Sequence, residues 1–250
     1  MNSFIDGLRA VNPFSTPYEE WETRIPTQEE SINFYRKHDF FGLIDVKIRR
    51  LISIDNHYDA AIHQVRRGAT NIELHIDDQL ERNDDFNALR RLIPSAIPRG
   101  LSEYQLRHQS GHDYPDVDSI INKVGIYIPY GQFVYHGGLL SQMGASFITT
   151  RPLSTSFCPQ IGVRLAEKNF SARNAGRMEL TLLKVTNPKT KAYIFKNKKT
   201  TQGHEKEVVF ASGAEIYLRG SHLVTMKYPV STPCGGSEFI PGYVIVGEIS

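Results

Sequence analysis

The sequence predicts an α+β protein, a helical N-terminal region followed by a β-rich region, and three observations predict it. Thr27-Gln28-Glu29-Glu30 reads as a helix-opening capping box. Apolar residues at helical spacing, stopped by glycine or proline, recur through the first hundred residues. After about residue 124 the apolar residues come instead in short β-branched runs separated by turns.

In chain order, residues 1–26 carry Pro13, Pro17 and Pro26 among Ser, Thr and Glu and read as a flexible leader. Thr27 caps the first helix, Glu30 reaches back to it, and Ile32 and Tyr35 share one face. Phe40 and Phe41, before Gly42, are expected to pack where that helix ends. A second helix is expected over residues 55–67, with Ala60, Ala61, Ile62 and Val65 inward and Gly68 as its stop. A third covers residues 84–93 around Phe86, Leu89, Leu92 and Ile93 and is ended by Pro94. Residues 27–123 therefore form a helical region, a candidate target-recognition module. Residues 124–250 form the β-rich domain. Its strands are expected at residues 124–129, 132–138, 146–148, 153–157, 178–185, 192–195, 207–211, 215–218, 222–228 and 243–249, with a short helix over 161–170.

Composition narrows the function. Lys and Arg number 29 against 27 Asp and Glu, a net charge of +2, without the basic excess that bulk nucleic-acid binding needs. Two cysteines, Cys158 and Cys234, make no disulfide framework and fit a reducing compartment. No apolar run is long enough to span a membrane, and the start of the chain lacks a Sec-type signal pattern. There is no P-loop and no dinucleotide-binding glycine fingerprint. His108 and His112 have the spacing of a zinc helix, but the Glu is missing and Gly111 weakens a helix there. Cys234-Gly235-Gly236-Ser237 reads as a loop cysteine. Arg49-Arg50, Arg66-Arg67 and Arg90-Arg91 read as solvated faces, with docking on an acidic partner as the second reading.

Three stretches carry chemistry: Tyr135-His136-Gly137, Ser154-Thr155-Ser156 and Glu205-Lys206-Glu207. Glu205 and Glu207 open an apolar run, Val208-Val209-Phe210, of strand character. Residues i and i+2 of a strand share a face, so the two carboxylates stand side by side. Like charges that close are costly without a cation between them, which chemistry explains better than folding. Taken singly, each stretch also reads as a core histidine, a turn serine cluster or a solvated acidic strand start. Order, spacing and flanking strands together favour one site.

These stretches resemble the toxin-type mono-ADP-ribosyltransferases. That family carries aromatic-Arg-Gly on a first strand, Ser-Thr-Ser on a following strand and E-x-E opening a later one. The resemblance covers about residues 124–250 and includes the helix at 161–170 and the turn and strand from Ser212 to Leu218. It departs from the family at His136, where the family has Arg; a His on this strand resembles the diphtheria-toxin branch. The resemblance implies an ADP-ribosyltransferase-like split β-sandwich that binds NAD+ as substrate.

It also implies roles. Breaking the nicotinamide–ribose bond passes through an oxocarbenium-like state, which a fixed carboxylate stabilises. Glu207 would do this while holding the ribose 2′-hydroxyl, and Ser154 would orient Glu207. Glu205 would face the acceptor and help deprotonate it. Thr155 and Ser156 would line the floor, with Tyr135 also among the NAD+-binding residues. His136 would bind the adenosine-side ribose or a phosphate, and the Gly137 backbone would approach the nicotinamide amide. Arg164 and Arg173 are candidate pyrophosphate partners.

The expected activity is transfer of ADP-ribose from NAD+ to a protein side chain in a target cell. E-x-E implies Arg as acceptor, with a hydroxyl residue such as Ser or Thr open. The expected setting is a secreted bacterial effector without a Sec signal, acting in target-cell cytoplasm as a monomer. The rivals are an NAD glycohydrolase, a non-catalytic NAD- or protein-binding module, and transfer to nucleic acid.

Overall fold

The computed structural model describes residues 7–39, 45–68, 70–107, 115–195 and 206–250. Phe40, Phe41, the His108 and His112 pair, and Glu205 lie outside them. The chain divides into two compact units, one of Phe14–Asn56 and one of His57–Ser250 with residues 7–13.

The smaller unit holds β1 (Tyr18–Arg24), α1 (Gln28–His38) and β2 (Val46–Ile54). The capping box forms as expected: Thr27 Oγ1 accepts from the Glu30 amide, and Glu30 Oε2 accepts from the Thr27 amide. Bonds from Arg24 and from Thr27 pull the Glu30 carboxyl down to about 2. β1 and β2 pair antiparallel, with Tyr18 opposite Ile54 and Arg24 opposite Val46. Arg50–Glu19 at 2.8 Å and Arg49–Glu22 at 3.1 Å cross the ladder. This corrects the sequence reading, in which residues 18–24 fell in a leader and 46–54 in a helical region. Neither strand has a stable apolar face of its own; each is held by a partner about thirty residues away, which local pattern does not reveal. Val11 is tied as well, its amide and carbonyl both bonded to the buried Gln132 side chain.

The larger unit begins with α2 (His57–Arg67), α3 (Ile72–Arg82), α4 (Asp84–Arg91), α5 (Arg99–Arg107) and α6 (Pro115–Val124). α2 ends as expected at Gly68, whose φ of 72° is a left-handed cap. Its Ala61 and Val65 join one core with Leu180, Leu182 and Val244 of the sheet. The boundary expected at 123/124 therefore falls inside a single compact unit.

The sheet comprises β3 (Ile126–Tyr127), β4 (Phe133–Gly137), β5 (Ser146–Ile148), β6 (Leu153–Ser156), β7 (Met178–Val185), β8 (Lys191–Ile194), β9 (Glu207–Phe210), β10 (Glu215–Ser231) and β11 (Ser237–Ile249). Between β6 and β7 lie α7 (Pro159–Glu167) and α8 (Ser171–Ala175). The architecture is α+β, as the sequence predicts. Strand order is β3-β8-β9-β6-β4-β7-β11-β10-β5. β4 and β6 meet at the single pair Tyr135–Ser156, so the sheet is two halves joined at one rung. The strands expected at 215–218 and 222–228 are one strand, β10. Irregular register against β11 between Leu218 and Tyr228 breaks its alternation.

α7 lies directly on β4. A Cβ on Gly137 would stand 1.7 Å from the Gly162 carbonyl oxygen, so this backbone-to-backbone approach admits only glycine. Gly137→Ala is expected to destabilise the fold by about 3 kcal/mol, read as a fall in the urea midpoint.

His57 is buried at the start of α2. Its ring stacks on Phe133, and its Nδ1 meets the Tyr135 hydroxyl at 3.2 Å. Burial lowers this imidazole from 6.5 to about 4. The unfolded chain thus takes up a proton near pH 6.5 that the fold refuses until about pH 4. Stability is full above that window and falls as pH drops through it. Urea unfolding is expected to give about 2 kcal/mol less stability at pH 5 than at pH 7 from this group. His57→Asn is expected to flatten the profile; an unchanged slope would overturn the assignment.

Candidate active site

β6 and β9 pair antiparallel, placing Ser156 opposite Glu207 and Ser154 opposite Val209. Ser154 and Glu207 are diagonal neighbours on one face, and Ser154 Oγ donates to Glu207 Oε1 at 2.5 Å. The other oxygen, Oε2, accepts from Gln105 Nε2 of α5 at 3.1 Å. Glu207 is 5% exposed, so these side-chain donors stand where water would otherwise solvate an ionised carboxylate.

His136, on β4, donates Nδ1–H to the Ser154 carbonyl at 2.7 Å. That bond crosses from β4 to β6 beside the single rung that joins the half-sheets. Burial pulls the imidazole below its ordinary range, the Ser154 carbonyl opposes that, and nearby Arg151 lowers it further. His136 is therefore neutral at pH 7, with Nδ1 the donor and Nε2 a bare acceptor. Gly138, at φ 151°, keeps Nε2 clear, since a Cβ there would lie 2.8 Å away.

These groups open on one cavity of about 240 Å³, lined by His136, Gly137, Ser154 and Glu207. Leu140, Met143, Phe147 and Leu165 give it apolar walls, Tyr104 and Gln105 enter from α5, and Arg151 and Lys168 line it as cations. Its 3-10 segment Leu140–Met143 is held by Ser141, whose Oγ donates to the buried Glu179 carboxylate at 2.5 Å.

β9 is clamped at both ends by helices. Lys206, the residue between the two glutamates, is buried with φ 47°. Its Nζ lies 3.0 Å from Asp77 and 3.5 Å from Glu73, both on α3. At the other end Asp118 of α6 accepts from the Ser212 amide at 2.7 Å and from its hydroxyl at 2.6 Å.

Several candidates fall elsewhere. Tyr135 is fully buried, its hydroxyl donating to the His57 carbonyl, and it does not line the cavity. Thr155 Oγ1 donates to the Val208 carbonyl, and Ser156 Oγ accepts from the Cys158 amide at the start of α7. Thr155 serves the β6–β9 pairing and Ser156 the start of α7, and neither lines the cavity. Arg164 and Arg173 are paired, with Glu73 at 2.6 Å and Glu238 at 2.9 Å, and neither lines the cavity. Cys158 is buried and its thiol is pushed up to about 11, far from a nucleophile at neutral pH. Among the described residues no cluster of metal-ligating side chains occurs. Sequence reasoning missed Tyr104, Gln105, Arg151 and Lys168. A signal for Arg151 was its place three residues before Ser154.

Lys206→Ala would take this cation from Asp77 and leave Glu73 with Arg164. It is expected to cost roughly 3 kcal/mol in urea unfolding and to shift the environment of Glu207. A variant as stable as the parent would show that α3 does not hold β9.

No protein-family model matches the chain, and no curated protein matches it. Solved structures do. A crystal structure of the ADP-ribosyltransferase Vis in complex with agmatine matches with TM-score 0.45 and 16% identity, over 76% of this chain and 89% of that one. BECa, an ADP-ribosylating toxin of a C. perfringens binary enterotoxin solved with NADH, matches with TM-score 0.35 and 12% identity, over 78% of this chain and 49% of that one. The ADP-ribosyltransferase HopU1 of Pseudomonas syringae pv. Tomato DC3000 matches with TM-score 0.27 and 12% identity, over 90% of this chain and all of that one.

Proposed function

We propose that the chain is a mono-ADP-ribosyltransferase, moving ADP-ribose from NAD+ to a protein side chain and releasing nicotinamide. The observation that carries this reading is Glu207, a nearly buried carboxylate fixed by Ser154 and facing a cavity shared with His136 and Gly137.

As the nicotinamide–ribose bond breaks, positive charge grows on the ribose. A carboxylate already desolvated and oriented stabilises that charge without reorganising. Glu207 Oε2 is the oxygen nearer Gln105, and a ribose 2′-hydroxyl would share or replace that bond. His136 offers Nε2 as an acceptor, which suits a ribose hydroxyl and not a phosphate oxygen. Of the two ligands expected for His136, the ribose is therefore favoured. Glu205 is assigned the acceptor, with Arg implied by E-x-E and Ser or Thr as the second class. By the same resemblance, the setting proposed is a bacterial effector or toxin acting in target-cell cytoplasm.

Labelled NAD+ incubated with the protein, with and without cell lysate, tests the reading. Label on a lysate protein supports transfer, free ADP-ribose alone supports hydrolysis by the same site, and no turnover in either sinks both. Glu207→Gln is expected to lower both activities by about 10²–10³-fold. Glu205→Gln is expected to lose transfer and retain hydrolysis. Intact NAD+ turnover in Glu207→Gln would show that the site is misassigned.

A further inference from the structure

The site as described lacks a cation on β4, where the resembled family has one, and its neutral His136 presents a lone pair. Glu207 adds a negative charge. A dinucleotide diphosphate carries two negative charges, and its oxygens only accept hydrogen bonds. Against Glu207 and His136 alone it would be repelled, and more strongly in a half-enclosed apolar cavity than in water. The cavity must supply cations from elsewhere if it takes such a ligand.

Its described lining holds two: Arg151, in the loop between β5 and β6, and Lys168, at the end of α7. Both are exposed, and among the described residues neither has an ion-pair partner. Arg164 and Arg173, the arginines that sequence suggested, are already held by Glu73 and Glu238. Arg151 lines the same cavity as His136, the strand position that the resembled family gives to Arg, and its charge acts on that imidazole. A guanidinium there can fork two phosphate oxygens, and a Lys ammonium adds a mobile point charge.

We propose that Arg151, with Lys168, is the diphosphate clamp of this site, the cation having moved from strand β4 to the loop before β6. This rests on the reading of the cavity as an NAD+ site. Titration calorimetry with NAD+ and with ADP-ribose tests it on the full chain. Arg151→Ala is expected to weaken both ligands by about 10- to 100-fold, and Arg151→Ala with Lys168→Ala by more. In turnover the loss should fall on KM with kcat largely kept, since the clamp is remote from the breaking bond. Arg151→Lys should recover part of the affinity, and thermal melting of each variant should match the parent because both side chains are exposed. A parent that binds NAD+ beside a double variant that binds it equally well would overturn the clamp alone. A parent that binds neither NAD+ nor ADP-ribose would overturn the NAD+ reading and the clamp with it.

Discussion

Glu207 carries a carboxylate that is 5% exposed and must be held at the lip of a cavity, and a charge so placed needs donors where water cannot reach. The fold supplies them from two directions. Ser154 comes from the neighbouring strand of the same half-sheet, and Gln105 from a helix 102 residues earlier. The first fixes the carboxylate relative to the sheet, the second relative to the helices. Neither donor alone would define how the carboxylate is oriented, because a single bond leaves rotation about its axis. Two donors on different elements do define it, so the carboxylate is oriented before any ligand arrives.

The helices also set where β9 lies. Asp77 and Glu73 of α3 hold Lys206 at one end, and Asp118 of α6 holds Ser212 at the other. Lys206 sits in the left-handed region at φ 47°, an unfavourable place for a residue with a Cβ, and its ion pairs with Asp77 and Glu73 offset that cost. The alternation of β9 then decides which side chains face the cavity. A shift of one residue would turn Glu207 away and Val208 in. The helical segment from His57 to Val124 is thus a scaffold for the site.

Much of this was legible in the sequence where the signal is local. The capping box at Thr27, the Gly68 stop and the short β-branched runs each depend on neighbouring residues, and each element stands close to its expected place. The pairing of Ser154 with Glu207 was legible through the joint order of the three stretches. Tyr135 and Thr155 lie off the cavity face for a reason the strand period contains: consecutive residues face opposite ways, so Tyr135 does not share a face with His136, nor Thr155 with Ser154. Gln105 and the β1–β2 ladder were not legible. Each depends on a partner far along the chain, and neither leaves a periodic trace at its own position.

His136 links the two half-sheets through its side chain. At the point where the half-sheets part, the ladder between β4 and β6 is down to one rung, and the imidazole adds a second link by donating to the Ser154 carbonyl. An arginine in that position would carry a permanent charge and could not present an acceptor at all. The histidine therefore does two things that a guanidinium cannot do together: it braces the residue that orients Glu207, and it turns a lone pair toward the cavity. The consequence is electrostatic. A neutral imidazole beside a carboxylate leaves the cavity hostile to anions except where Arg151 and Lys168, on the loop and helix end that border it, supply positive charge.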